Sequence, residues 1–333
     1  MAFDVFGMCN ALYDIQAEVD DALLVGLGLE KGSMSLLSAE QQQQIVPQIY
    51  THIVNTESGG SGANTMFGVS LLGGHTCYTS CVGKDEHGAL YRRGLAERGV
   101  KPNLSEGEGD TGVSLVLITP DAQRTMGTFL GRSRELTAAD LSLEDLRASR
   151  YLYVTAYLWD TDSQKEAVLL AMREANQAGV RVALSLSDPF CVHRHRDDLL
   201  HLLREHVDVL FGNQVEAQVL TGTDHPYDAL RELSRLSDIA VVTMDENGAL
   251  IRQRHATYEI PRYRVTAVDT TGAGDMFAAG ILYGLTQGLP LDVTGRIGAY
   301  TAAQVVAKLG PRLTHLDETA IARLKAGAEL DAV

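Results

Sequence analysis

Residues 268–280 read Val268-Asp269-Thr270-Thr271-Gly272-Ala273-Gly274-Asp275-Met276-Phe277-Ala278-Ala279-Gly280, and the apolar pattern runs on to Leu285. Glycines that lead into a helix leave several backbone N–H groups unpaired at its start. With the positive end of the helix dipole, those groups bind an anion such as a phosphate. Asp275 falls in the first turn, beside that anion hole. Because a helix start favours negative charge, its carboxylate is expected to stay ionised and to act as a base at neutral pH. A loose phosphoryl-transfer transition state needs a carboxylate that orients a hydroxyl and finally accepts its proton. The same glycines also suit a plain turn with Asp275 as an ordinary helix residue, so the rest of the chain must choose.

Upstream of this stretch, strand-like and helix-like patterns alternate. A helix pattern over 163–177 closes at Gly179, and Val180, Val182, Leu184 and Leu186 then alternate as a strand ending at Asp188-Pro189. A second round follows, with a helix over 195–206, a strand over 207–211, helices over 213–220 and 226–236, and a strand over 239–244. Such alternation predicts a parallel sheet with helices on both faces, and ligands at the C-terminal ends of its strands. The N-terminal half offers a strand over 3–8 and helices over 63–72 and 86–98. The alternating runs at 12–19, 33–37 and 112–130 look like strands without helices of their own, and predict a small β lid over the sheet. No repeat or linker divides the chain, so residues 1–333 read as one domain, with the lid drawn from about 11–37 and 100–130.

The chain carries 28 Lys and Arg against 43 Asp and Glu, a net charge of −15, the wrong sign for gripping nucleic acid or anionic lipid. With 45% hydrophobic and 21% charged residues over 333 positions, it reads as an ordinary folded protein. No apolar stretch approaches the ~20 residues of a membrane helix, and residues 1–20 lack Lys and Arg, unlike a signal peptide. A cytoplasmic protein is expected. Cys9, Cys77, Cys81 and Cys191 make no disulfide framework or common zinc spacing and read as buried thiols. His193, His195 and His201 are interleaved with Arg194 and Arg196, a poor setting for a cation, so a solvated helix start is expected there.

Thr271-Gly272-Ala273-Gly274-Asp275 resembles the C-terminal signature of the ribokinase-like (PfkB) sugar and nucleoside kinases, and other segments agree in the right order. Gly59-Gly60-Ser61-Gly62-Ala63-Asn64-Thr65 resembles the family's N-terminal signature. Gly7, Asn10, Ala11 and Asp14 resemble its first-strand sugar-binding segment, and Val82-Gly83-Lys84-Asp85 with Gly88 also matches. The resemblance implies a three-layer α/β/α sandwich with a mostly parallel central sheet and a small β-sheet lid. It further implies transfer of phosphate from ATP with Mg²⁺ to a small-molecule alcohol.

Each match also has a reading of its own. Asp14 offers a carboxylate to a pair of vicinal hydroxyls, or is a solvated strand-end residue. Gly59 and Gly60 let backbone approach a substrate, and Ser61 and Asn64 either meet a hydroxyl or cap the following helix. Asn213 and Glu216 form a capping-box pattern, and the resemblance adds that the Glu holds Mg²⁺ and phosphates largely through water. Thr243 and Gly248 resemble the family's nucleotide loop, with Asp245 where glycine is usual. Asp269 and Thr271 resemble positions that line a monovalent cation site in several members, which makes K⁺ activation an open question.

The substrate must come from local sequence. The segment 119–126 with Phe129-Leu130-Gly131, Lys31-Gly32-Ser33-Met34, and Ser187-Asp188-Pro189-Phe190 are similar to the adenosine-kinase-like branch. By that resemblance Tyr157 and Phe129 are candidates to stack on a purine, and Arg124 to neutralise the transferring phosphoryl group; each is equally a core or lid residue. The expected activity is phosphorylation of a purine nucleoside, adenosine first, at its 5′-hydroxyl, in purine salvage. Asn10, Asp14, Gly60 and Asn64 would hold the ribose, Asp275 would be the base, and the N–H groups of Gly272, Ala273 and Gly274 would form the anion hole. Rival readings are a ribokinase or inosine-guanosine kinase, or an inactive nucleoside-binding regulator, in a monomer or homodimer. A dinucleotide-dependent oxidoreductase fails because Gly7-Met8-Cys9-Asn10 is not the glycine pattern such a fold needs after its first strand.

Overall fold

The fold is described from a computed structural model, which covers residues 3–121 and 123–330; Ala122, in the 119–126 segment, lies outside the described residues. Fourteen strands form among them: β1 Phe3–Met8, β2 Leu12–Glu18, β3 Met34–Leu36, β4 Ile53–Gly59, β5 Thr76–Gly83, β6 Val100–Gly107, β7 Gly112–Ile118, β8 Arg124–Phe129, β9 Ser149–Thr155, β10 Arg181–Ser185, β11 Val209–Asn213, β12 Ile239–Thr243, β13 Ala249–Gln253 and β14 Ala256–Ile260. Nine of them make one sheet in the order β14-β13-β12-β11-β10-β9-β1-β5-β6, and five make a second in the order β3-β8-β7-β2-β4. From β12 to β6 every pairing in the large sheet is parallel, and only the β12-β13-β14 edge is antiparallel.

Central strands of a parallel sheet are covered on both faces, which is why β5, Thr-Cys-Tyr-Thr-Ser-Cys-Val-Gly, is buried along its whole length. The covering helices are cut to length by their caps. Helix Asp162–Ala178 starts where the Thr161 side chain accepts from the Gln164 N–H and stops at left-handed Gly179, close to the predicted span. Two hydrophobic cores result, one on each face. The first continues into the lid through Ile15, Ile49 and Leu115, and the second joins Leu152 and Leu184 to Ala167, Leu199 and Leu230.

The lid departs from its sequence reading in three respects. β6 belongs to the large sheet, where it pairs in parallel with β5, so 100–107 is not lid. β4, which the sequence reading omits, pairs antiparallel with β2. Its sequence Ile-Val-Asn-Thr-Glu-Ser-Gly has no large apolar residue after Val54, so it lacks the apolar alternation that marks a half-buried strand. Helices Asp21–Gly26 and Ala39–Ile49 also lie between the lid strands, the second started by a Ser38/Gln41 capping box. None of the helices among the described residues is long and apolar enough to cross a membrane.

The helix that begins at Ala273 is held by buried side chains such as Phe277, Ile281 and Leu282 and by a close backbone contact. Ala273–Thr286 crosses Leu291–Val306 where Gly280 faces Gly298, and a Cβ at Gly280 would sit 2.6 Å from the Gly298 Cα. Backbone cannot yield as a side-chain tip can, so overpacking here should cost ~1–3 kcal/mol or more. Gly280→Val should therefore lower the midpoint of chemical denaturation, whereas Gly26→Ala, with open space around its Cβ, should leave it within error. Equal effects would show that the helix crossing is not tightly packed.

Candidate active site

A cavity of about 910 Å³ lies between the C-terminal ends of the large sheet's strands and one face of the lid. The sheet side contributes residues that follow β1 and β9, such as Asn10 and Tyr157, and the lid contributes Asp14, Ser114, Arg124 and Met126 from three adjacent strands. This is the edge where parallel α/β sheets place their ligands.

At its base two helices meet start to start. Ser61–Leu71 begins at Gly60 with φ 90°, and Ala273–Thr286 begins at Gly272 with φ 77°, both in backbone territory that favours glycine. The Ser61 hydroxyl donates to Asp275 Oδ1 at 2.5 Å and the Asn64 amide Nδ2 donates to Asp275 Oδ2 at 2.9 Å. Neither side chain caps its own helix, which starts at Gly60 without a side-chain cap; both instead orient the carboxylate of the other helix. The sequence reading expects the helix start to favour the ionised Asp275 carboxylate; the surroundings add an opposing effect. Enclosure by protein pushes its pKa up, and the Ser61 and Asn64 donors and the Arg312 charge offset only part of that rise.

The anion hole differs from expectation by one residue. The Ala273 N–H donates to the Thr270 carbonyl at 3.2 Å, closing a turn, and Ala273 does not line the cavity. The N–H groups of Gly272, Gly274 and Asp275 have no backbone partner among the described residues, and all three residues line the cavity. The helix begins at Ala273, so these donors sit at its positive end.

On the lid side, Asp14 in β2 stands opposite Glu57 in β4. Asp14 is buried, and desolvation lifts its pKa to about 7 despite attraction from Arg312 and Arg124. A side chain at Gly59 would collide with the Asp14 carboxylate, so this glycine leaves room for an acid rather than touching a ligand. Asn10 accepts from Gln164 Nε2 at 2.8 Å through its Oδ1, which leaves its Nδ2 without a partner among the described residues. Arg124 lines the cavity and forms an ion pair with Asp269. The Asp269 carboxylate also accepts from the Thr271 N–H at 3.0 Å and the Gly310 N–H at 2.7 Å. The Asp269 carboxylate thus holds the Arg124 guanidinium and two backbone N–H groups, and Thr271 lines the cavity.

The capping box expected at 213–216 forms, with the Asn213 N–H on Glu216 Oε2 at 2.9 Å and Asn213 Nδ2 on Oε1 at 2.7 Å. Asn213, Glu216 and Thr243 also line the cavity, so capping and exposure to a ligand coexist. Burial raises the Glu216 pKa to about 7. Gly248 is not at the cavity; its φ of 82° turns the chain into β13, and Asp245 is exposed and does not line the cavity either.

Among aromatic residues, Tyr157 lines the cavity and its hydroxyl donates to the Ser187 carbonyl at 3.3 Å. Phe129 does not line it: alternation along β8 turns Arg124, Met126 and Thr128 inward and Phe129 to the other face. Phe190, 77% exposed, lines the cavity at its rim. His195, read as part of a solvated helix start, instead bonds Asp160 at 2.8 Å through Nε2. The sequence reading missed Arg312, whose Nε donates to Asn64 Oδ1 at 2.8 Å. Only its neighbour Gly310-Pro311, a chain break after a helix, marks the spot.

Residues 37–318 match the pfkB family of carbohydrate kinases. A probable sugar kinase from Rhizobium etli CFN 42 is 36% identical, with a TM-score of 0.90 over 98% of this chain and 99% of that one. The adenosine kinase from Sinorhizobium meliloti is 34% identical, with a TM-score of 0.88 over 98% of this chain and 100% of its own. A ribokinase from Haemophilus influenzae is 25% identical over 76% of this chain and 82% of its own. With its glycine-led anion hole, its enclosed carboxylate and its two-sheet architecture, the chain belongs to the pfkB family, as a ribokinase-like sugar or nucleoside kinase that phosphorylates a hydroxyl.

Proposed function

We propose that this kinase transfers phosphate from Mg-ATP to the 5′-hydroxyl of a purine nucleoside, adenosine first. One observation carries the reading: Asp275 lines the same cavity as polar side chains suited to a sugar and apolar and aromatic ones suited to a base. Asp14, Asn64 and Asn10, the ribose corner of this reading, offer acceptors and donors suited to vicinal hydroxyls. Tyr157, Phe190, Met34, Leu36 and Met126 add the apolar and aromatic character that a purine needs and a free sugar does not. The likeness to the Sinorhizobium meliloti adenosine kinase supports the same choice.

In this reading Asp275 orients the 5′-hydroxyl and takes its proton late, while the N–H groups of Gly272, Gly274 and Asp275 stabilise charge on the transferring group. Glu216 fits a Mg²⁺ ion held through water, since each of its oxygens is already engaged by Asn213 and retains a second lone pair. When bound, that ion neutralises phosphate charge. Arg124 stands in the lid above the anion hole, and the lid excludes water from the reacting groups.

Two predictions follow from these assignments. In an ADP-release assay with adenosine, inosine, guanosine, ribose and fructose 6-phosphate, adenosine should give the highest kcat/KM. Asp275→Asn should lower kcat by ~10²–10⁴ while still binding adenosine in calorimetry. Preference for a free sugar would reject the nucleoside assignment, and tight nucleoside binding without turnover by the wild type would favour a regulator. The second concerns pH. Asp14 is harder to ionise folded than unfolded, so its contribution to stability is present at low pH and fades as pH rises from about 4 to about 7. Asp14→Asn should therefore raise Tm at pH 8, with the difference shrinking towards pH 4; an equal shift at both pH values would contradict the assignment.

A further inference from the structure

We infer that Arg312 is a positioning residue for phosphoryl transfer: it fixes which way the Asn64 amide faces, and so holds the Asp275 carboxylate in register with the incoming hydroxyl. The inference rests on the reading of Asp275 as the base.

The geometry is a relay of two hydrogen bonds. Arg312 Nε donates to Asn64 Oδ1 at 2.8 Å, and Asn64 Nδ2 donates to Asp275 Oδ2 at 2.9 Å. A guanidinium only donates, so it accepts no arrangement but the amide oxygen towards itself, and the amide nitrogen is thereby committed to the carboxylate. Without the arginine, the amide can turn, and its oxygen would then face Asp275 and repel it. Asn64 also faces the ribose corner, so its orientation governs substrate and base together.

Arg312 is itself held against turning. It is 3% exposed, its guanidinium lies 4.2 Å from the centre of the Phe67 ring, and Nη1 is 3.5 Å from Glu57 Oε2. Nη2 is buried with no hydrogen-bond partner among the described residues. A cation kept at such cost to hydration has a task beyond filling space. Its segment braces the anion-hole loop from a second side, since the Gly310 N–H binds Asp269 and Pro311 packs against Gly272.

The charged groups around this corner define its pH behaviour. Three acids face it, Asp14 from β2, Glu57 from β4 and Asp275 from its helix. Arg98, after helix Glu86–Glu97, Arg124 in β8 and Lys308, which acts on Glu57, are further cations nearby. Tyr91, Tyr153, Tyr157 and Cys9 all have their pKa pushed up by burial, so they remain neutral through the working range. Loss of the Arg312 charge should therefore register on the carboxylates.

The test measures kcat, KM and the pH profile of kcat from 5 to 9 for wild type, Arg312→Met, Arg312→Lys and Asp275→Asn. Arg312→Met should lower kcat at least ~tenfold, more than it raises the ATP KM, and move the acidic limb of the profile upward by about one pH unit. Arg312→Lys, which keeps the charge but not the planar Nε–H, should restore the limb and recover only part of kcat. An unshifted limb with kcat within twofold of wild type, in either variant that folds, overturns the inference. If Arg312→Met fails to fold, Arg312→Lys decides: full wild-type kcat in it overturns the relay. If Asp275→Asn itself keeps turnover, the base assignment falls and the relay falls with it; an inactive Asp275→Asn beside unaffected Arg312 variants rejects the relay alone.

Discussion

Two helix starts converge on one carboxylate. Ser61 and Asn64, from the helix that follows β4, hold both oxygens of Asp275, from the helix that follows the glycine loop. Each helix directs its unpaired N–H groups and its positive dipole end to the same small volume, which makes that volume attractive to anions. Enclosure works against this by raising the cost of a charged carboxylate. The balance leaves Asp275 a better proton acceptor than a solvated aspartate, and ready to give the proton up again. Gly60 and Gly272 are required by the same meeting, because both helices must begin from left-handed backbone.

The lid extends this balance. Asp14 and Glu57 sit opposite each other on adjacent strands, an arrangement that costs stability unless a cation intervenes. Arg312 supplies that cation from the far end of the chain, and Arg124 ties the lid to Asp269 in the glycine loop. In a chain with net charge −15, these two arginines thus sit where buried or half-buried carboxylates need them. Because Arg124 lies in a lid strand and Asp269 beside the anion hole, the position of the lid and the charge state of the loop are coupled.

Much of this was legible in sequence because it is local. The glycine loop and the capping box at 213–216 are spacing patterns, and the large sheet follows from alternating periodicities. What sequence hid was either polar or distant. β4 escapes a sequence reading because a strand of mainly polar residues has no hydrophobic period. Phe129 was assigned to the cavity because an aromatic residue in the right segment says nothing about which face of the pleat it takes. Ala273 was counted as an anion-hole donor because turn closure by its N–H depends on backbone angles. Arg312 and Asn64 are 248 residues apart, and no spacing rule spans that separation.

The account's central claim is that a nucleoside's ribose lies against Asp14 and Asn64 and its base against Tyr157, with the 5′-hydroxyl at Asp275. A crystal structure with adenosine and a non-hydrolysable ATP analogue tests it most directly. The account predicts the ribose hydroxyls within hydrogen-bond distance of Asp14 and Asn64, the purine against Tyr157, and the terminal phosphate at the Gly272 and Gly274 N–H groups. Adenosine bound with its base against Asp14 and Asn64, or its 5′-oxygen remote from Asp275, would contradict it.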